Sequence, residues 1–350
     1  MNSSAKILGG VVLIALLGVG VALGTGTWNP SWNPFGMSSS EVVEKMAKKQ
    51  RNVDSGHFEG TAEAEMEEGS FALTMKGDSD NSDPENPKSE MTVDVSFATE
   101  GMEFSAAANA RAFNDTAYFK ATKIPAAPML PVQNLDQFKD QWIKVDTEQT
   151  EETTEMEEID PEEIREIIRN ADIEKMINVE EEFEDEKVKG VNTYHYLVSV
   201  DEEGVKETLP SLMKELSELS EDSEPVDKQQ IRKDLDEFFS KAGPLEAELW
   251  IGRSDYLLRK VAFEKEIDPQ AIDETAQAEP IMVNGEFFFS DYGKTVEIEK
   301  PKNAKTLQEV ISSMMMQGMS SEGTQEIPED VEDQYDIPEG TEVPEGVEMP

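Results

Sequence analysis

Two histidines, His57 and His195, and no cysteine at all are a thin supply of reactive side chains for 350 residues. Without cysteine there is no thiolate nucleophile, disulfide, Cys-ligated zinc or iron–sulfur cluster. There is also no N-terminal cysteine to carry a lipid. A Ser-His-Asp triad or a histidine-rich metal site would have to be drawn from those two rings. His57 sits on the polar side of an alternating stretch, and His195 stands between Tyr194 and Tyr196, as an ordinary sheet residue would. The run Asp78-Ser79-Asp80-Asn81-Ser82-Asp83 starts like a calcium loop. Asp83 stands where such a loop needs glycine, though, and Ser89 where it needs a bidentate glutamate, so a solvated hairpin loop is expected. Acidic pairs are so numerous that proximity alone singles out no catalytic dyad. P-loop, GxGxxG, GxSxG and HExxH motifs do not occur. Asn114-Asp115-Thr116 forms a glycosylation sequon at an expected turn. The chemistry left is non-covalent: no enzyme, no metal and no cofactor are expected.

Apolar side chains at sheet spacing are the other resource. From Ser55 the pattern alternates, with Phe58, Gly60, Ala62, Ala64 and Met66 on one side and His57, Glu59, Thr61, Glu63 and Glu65 on the other. Phe71, Leu73 and Met75 continue it, then Met91, Val93, Val95 and Phe97, then Met102, Phe104, Ala106, Ala108, Ala110 and Ala112. Strands at Asp115–Lys120 and Trp142–Val145 follow. Short turns between successive strands require antiparallel pairing, hence a meander with one greasy and one wet face. The inward rows of the first and fourth strands are alanine and glycine, facing rows of larger residues. Small residues across a row leave volume for a ligand unless helices descend onto them, and composition allows either. If the volume is open, its lining is Phe71, Leu73, Met75, Met91, Val93, Val95, Phe97, Phe104, Ala106 and Ala108.

The net charge of −45 is concentrated: residues 148–186 hold 18 acidic and 3 basic side chains, and residues 320–350 hold 11 acidic and none basic. Phosphate-backbone binding needs the opposite sign, so nucleic acid is excluded as a ligand. Adsorption to an anionic membrane is disfavoured on net charge. The acid serves solubility, or meets a cationic protein partner.

Ile7 to Leu23 is an unbroken apolar or glycine run, with Lys6 before it and no charge after it until Glu41. At a 1.5 Å rise it spans roughly 26 Å, the short end of what a ~30 Å hydrocarbon core needs. Trp28, Trp32 and Phe35 suit an interfacial belt, and Lys6 places the N-terminus in the cytoplasm. An uncleaved anchor at 7–24 is the expectation, a cleaved signal peptide the alternative; both export the rest.

Further on, a serine-capped helix begins near Glu41, with Val42, Val43 and Met46 on one stripe. Asp160-Pro161-Glu162-Glu163 opens another, lined by Ile164, Ile167, Ile168 and Ala171. A hairpin turning at Lys189-Gly190 leads into Tyr194, Tyr196, Val198 and Val200. Helices are expected over 203–219 and 226–242, split by Ser223-Glu224-Pro225, and an amphipathic one over 304–319. Its Met314, Met315, Met316 and Met319 read as core packing or a lid. Two late hairpins are expected, one turning at Arg253-Ser254-Asp255 and one in which Phe287–Ser290 turns at Asp291-Tyr292-Gly293 into Val296-Glu297-Ile298. The proline-rich acidic tail from Ser320 reads as disordered.

The stretches LWIGRSDYLLRKVAF and FFFSDYGKTVEIEKP resemble the closing strands of the LolA/LppX-type lipoprotein-carrier superfamily. The helix entering Asp54-Ser55-Gly56-His57-Phe58-Glu59-Gly60, the strand Trp142–Val145 and Gly190 before Thr193–Val198 fit the same pattern in order, over roughly 41–304. The resemblance implies a curved antiparallel half-barrel whose concave face is plugged by helices; this chain departs from it in lacking a lipid-bearing cysteine, the expected N-terminal transmembrane helix taking the anchor's place, so an α+β fold of transmembrane helix and half-barrel is expected. The resemblance also implies non-covalent binding of a lipid or acylated protein, as carrier or sensor. The expected organisation is a cytoplasmic tip (1–6), anchor (7–24), linker (25–40), lipid-binding domain (41–304) with an acidic insert (148–186), C-terminal helix (305–319) and acidic tail (320–350). The competing expectation is a cell-surface protein-interaction module with a filled core and acidic loops.

Overall fold

The computed structural model describes residues 37–67, 69–83, 86–99, 101–114, 116–124, 138–146, 163, 166–167, 170–219, 226–268, 279–310 and 312–313. The expected membrane segment, most of the Asp160 helix, the methionine cluster at 314–319 and the acidic tail lie outside these. Among the described residues no helix is long and apolar enough to cross a membrane. The chain divides into two units, Met1–Thr306 and Leu307–Pro350. In the second, residues 307–310 and 312–313 are helical.

The first unit is a large open sheet with few helices. Strands β1 (Ser55–Met66), β2 (Gly69–Asp80), β3 (Lys88–Thr99), β4 (Met102–Phe113), β5 (Thr116–Lys123) and β6 (Ile143–Asp146) form one antiparallel meander. Strands β7 (Ile177–Val188), β8 (Val191–Val200), β9 (Glu246–Gly252), β10 (Leu258–Ile267) and β11 (Ile281–Ser290) form a second. The two join where β1 pairs antiparallel with β11, His57 opposite Ser290 and Glu65 opposite Met282. A two-residue β12 (Lys305–Thr306) adds to β6 in parallel, giving the order β12-β6-β5-β4-β3-β2-β1-β11-β10-β9-β8-β7. Lys189 and Gly190 both take positive φ between β7 and β8, the two-residue turn whose twist matches the flanking strands.

Helix α1 (Ser39–Gln50) starts where a capping box puts it: Ser38 accepts from the Glu41 N–H, and Glu41 accepts from the Ser38 N–H at 2.7 Å. Its stripe of Val42, Val43, Met46 and Ala47 is buried. The three larger side chains pack with Tyr196, Leu249, Ile251, Leu258, Val261 and Phe287 from the second meander, and with Ala62 and Ala64 of β1. The buried Gln50 amide at the end of α1 accepts from the Leu258 N–H at 3.2 Å and donates to the Tyr292 hydroxyl at 3.2 Å; Tyr292 in turn donates to Leu258 O. That clasp fixes α1 beside the irregularity between Leu258 and Lys260, where β10 slips its register against β9.

Helices α2 (Glu202–Ser217) and α3 (Lys228–Ala242) lie between β8 and β9 in sequence, capped by Asp201 and Asp227. They do not plug the sheet face. Val205 and Phe239 pack with Leu245, Val200 and Met176 in a separate cluster. Among the described helices, α1 alone joins the apolar-face cluster.

Three expectations are corrected here. Val296–Ile298 is not a strand: β11 already has β10 on one edge and β1 on the other, so no edge remains for a hairpin partner. Residues 291–304 instead form a return segment. The Gly293 N–H donates to Ser55 O at 3.0 Å and the Ser55 hydroxyl to Lys294 O at 2.8 Å. Farther on, Ile298 packs with Phe113 and Tyr118 before the chain reaches β6. Secondly, the acidic insert is not wholly extra, because 177–186 belongs to β7, the edge strand. Its charged side chains and two register irregularities suit an edge that must not pair further. Thirdly, the last helix starts at Leu307 rather than 304, because Lys305 and Thr306 are held by β6.

Candidate functional site

Two-residue periodicity and the observed registers place all ten expected lining residues on one face of β2, β3 and β4. Three rows cross the strands: Phe71–Phe97–Phe104, Leu73–Val95–Ala106 and Met75–Val93–Ala108. Met91 continues the face opposite Gly77 and Ala110. Phe71, Leu73 and Met75 are half-buried against the cluster under α1. Moving away from α1, the face opens. None of the ten is buried, and Met91 and Ala108 are exposed.

The strip extends one strand pair beyond what the spacing had singled out. Ala108 pairs with Ala121, Ala110 with Phe119, and Phe119 with Ile143 of β6. Phe119 is 47% exposed, the second most exposed of the large apolar side chains after Met102 among the described residues. Its signal was present in the alternation Ala117, Phe119, Ala121. The strip runs about 20 Å along β4 from Phe104 to Ala110 and crosses to β6, about 19 Å from β2, at the Ala110–Phe119–Ile143 row. A contiguous apolar strip on a monomer's surface often marks a binding site.

The expectation that small residues leave space is corrected for β1. A Cβ at Gly60 would overlap the Phe287 ring, one at Gly77 the Phe58 ring, and one at Gly285 the Phe263 ring. Neighbouring aromatics have filled those gaps, and Ala62 and Ala64 are buried. On β4, by contrast, Ala108 stays exposed. The same face is thus filled on the α1 side and bare on the β4–β6 side.

A cavity of about 390 Å³ is lined by His57, Lys76, Asp78, Glu90 and Arg111 together with Gly77, Met91 and Ala110. Its charges meet each other: His57 Nδ1 lies 3.0 Å from Asp78 Oδ1, and Arg111 Nε donates to Glu90 Oε2 at 3.1 Å. His195 is far off on β8, stacked on Trp250 at 4.2 Å with Nε2 2.6 Å from Glu248 Oε2. Three strands separate the two histidines' strands, so they share no site. Among the described residues no group of three or more His, Asp or Glu could hold a metal ion. The calcium-like run ends β2 and is consumed locally, Asp80 accepting from the Ser82 N–H at 3.1 Å and pairing with Lys88 at 3.3 Å. The Ser82 hydroxyl is the main reason the Asp80 carboxyl titrates below the usual range.

No protein-family model matches the chain, and no curated protein matches it by sequence. Solved structures do. LprF from Mycobacterium bovis matches at 13% identity and a TM-score of 0.35, covering 76% of this chain and 96% of that one. The lipoprotein LppX from Mycobacterium tuberculosis matches at 8% and 0.33, covering 74% and 97%. An outer membrane lipoprotein-sorting protein domain from Vibrio parahaemolyticus matches at 11% and 0.20, covering 74% and 93%.

Proposed function

We propose that this chain is an extracytoplasmic binding protein that holds the acyl part of a lipid or of a lipidated protein against the bare face of β2–β6. In this reading the sheet bends so that this face is the hollow of a half-barrel. Residues 7–24 anchor the chain in the cytoplasmic membrane, and everything after residue 25 lies outside. The observation that carries the proposal is the contrast across one continuous face: α1 and aromatic rings cover its β1 and β7–β11 part, while Met91, Ala108 and Phe119 stay exposed.

The energetics need no catalytic group. Burying a methylene is worth ~0.8 kcal/mol, so a sixteen-carbon chain gains at most about 12 kcal/mol from a dry site. A strip about 20 Å long accepts most of such a chain laid along β4. Alanines on β4 and β5 set a low floor, with Val93, Val95 and Met91 on one side and Phe119 on the other.

Native mass spectrometry tests this on the full-length protein released from non-ionic detergent. A retained lipid mass is expected, and it should vanish in Ala108→Trp, which leaves the N-terminal apolar run untouched. Bare polypeptide in both cases, with no uptake of a dansyl-labelled undecanoic acid, would support the interaction-module reading, which the ring-filled β1 row favours.

A further inference from the structure

The two ends of the bare strip differ in kind. Two residues, about 7 Å, beyond the Met91–Ala110 row the registers set a further row on the same face: Gly56, Ser79, Ser89, Ala112, Ala117 and Val145 across β1 to β6. Ser79 and Ser89 stand directly opposite each other on β2 and β3, both half-buried. Among the described residues neither hydroxyl has a hydrogen-bond partner. Their surroundings are small and uncharged. A Cβ at Gly56 would lie 3.3 Å from Tyr292 Cδ1, so that ring borders the row on the α1 side, with its hydroxyl already engaged by Leu258 O and Gln50. Neither this row nor the Met91–Ala110 row beside it carries a charged side chain. The other end of the strip is the Phe71–Phe97–Phe104 row, followed by Gly69, Thr99 and Met102. Three phenyl rings stand there in place of two hydroxyls.

We infer that Ser79 and Ser89 seat the polar head of the acyl ligand, that its chain runs from them toward the three phenyl rings, and that the head is an uncharged ester rather than a free carboxylate. The inference rests on the proposed function, since it gives a direction and a head to the chain which that function lays on the strip. A serine hydroxyl both donates and accepts, so the pair can donate to an ester carbonyl and accept from a neighbouring hydroxyl of the ligand. A carboxylate would meet the same two donors, but it would leave water with no cation in either row. Desolvating an uncompensated charge costs far more than desolvating a neutral ester. Laid the other way round, the ligand would set its head among phenyl rings and leave both serines without partners. The lengths agree: Ser89 to Phe97 is eight residues, about 27 Å, which is the apolar strip plus one more row for the head.

Full-length protein released from non-ionic detergent is offered an equimolar mixture of 1-monopalmitoylglycerol and palmitic acid at alkaline pH, and the bound masses are read by native mass spectrometry. The two lipids share one acyl chain and differ in the head alone. Wild type should retain the ester over the acid by about tenfold. Ser89→Lys sets an ammonium at the head seat and should swing the balance toward palmitic acid by at least about tenfold. Thr99→Lys adds the same charge at the phenyl end, about 33 Å along β3 and well beyond the screening length, and should leave the ester preferred. Ser79→Ala with Ser89→Ala removes both hydroxyls without adding bulk, and should weaken monopalmitoylglycerol binding by about tenfold in a titration. A wild-type preference for palmitic acid, an equal swing in the two lysine variants, or full ester affinity in the double alanine variant would overturn the inference and leave the proposed function standing. Wild-type protein that retains neither lipid would sink the proposed function, and this inference with it.

Discussion

Ala108→Trp is the most informative single change. Ala108 is exposed between Val93 of β3 and Ala121 of β5, on the bare part of the face. An indole there covers the floor that four to six methylenes of an acyl chain would occupy. At ~0.8 kcal/mol each that is about 3–5 kcal/mol, a loss of roughly 10²- to nearly 10⁴-fold in affinity. Because the position is exposed, unfolding free energy should change by no more than about 0.5 kcal/mol. A position already packed from above would instead lose about 1–3 kcal/mol through overpacking. Displacement of a dansyl-labelled fatty acid measures the first quantity and urea unfolding the second. Near-wild-type affinity, or a large stability loss with affinity unchanged, would refute the reasoning.

Other changes separate structure from site. Gly60→Ala sets a methyl against the Phe287 ring and should lower stability by about 1–3 kcal/mol in urea, with fatty-acid affinity little changed. Gln50→Leu strips the buried Leu258 N–H of its acceptor and should cost about 1–3 kcal/mol, loosening α1 in hydrogen exchange. Asp201→Ala removes the cap of α2, where the Gly204 N–H donates at 2.7 Å, for about 1 kcal/mol. That same bond is the first cause holding the Asp201 carboxyl below the usual carboxylate range. A depressed folded pKa gives stability that is present above the unfolded value and lost as pH falls through the folded one. The difference between wild type and Asp201→Asn should therefore shrink as unfolding is measured from pH 6 down to pH 2.

Much of this architecture could be read from residue order, where one local rule decided it. Alternation marked β1 to β5, and a capping serine before Glu41 marked the start of α1 to within two residues. The lining residues shared a face because a period of two leaves no choice once antiparallel register is set. What stayed hidden depended on partners distant in sequence. Whether Gly60 was empty depended on a phenyl ring 227 positions later, at Phe287. Val296–Ile298 has the composition of a strand, yet its fate was settled by β1 having taken the edge of β11. In β7, exposed glutamates drowned the apolar signal of Ile177, Val179 and Phe183, so a strand looked like an insert.

The seam where β1 meets β11 ties residues 57–65 to 282–290, and that has a kinetic consequence. Closing a loop of roughly 220 residues costs about 5 kcal/mol of chain entropy before any pairing rewards it. Each meander can zip by hairpins as it is synthesised, but the central junction must wait until β11 has emerged. Such high contact order predicts slow completion of folding. A polypeptide whose two halves wait for their last strand stays hinged through nearly all of its synthesis and becomes rigid in one late step.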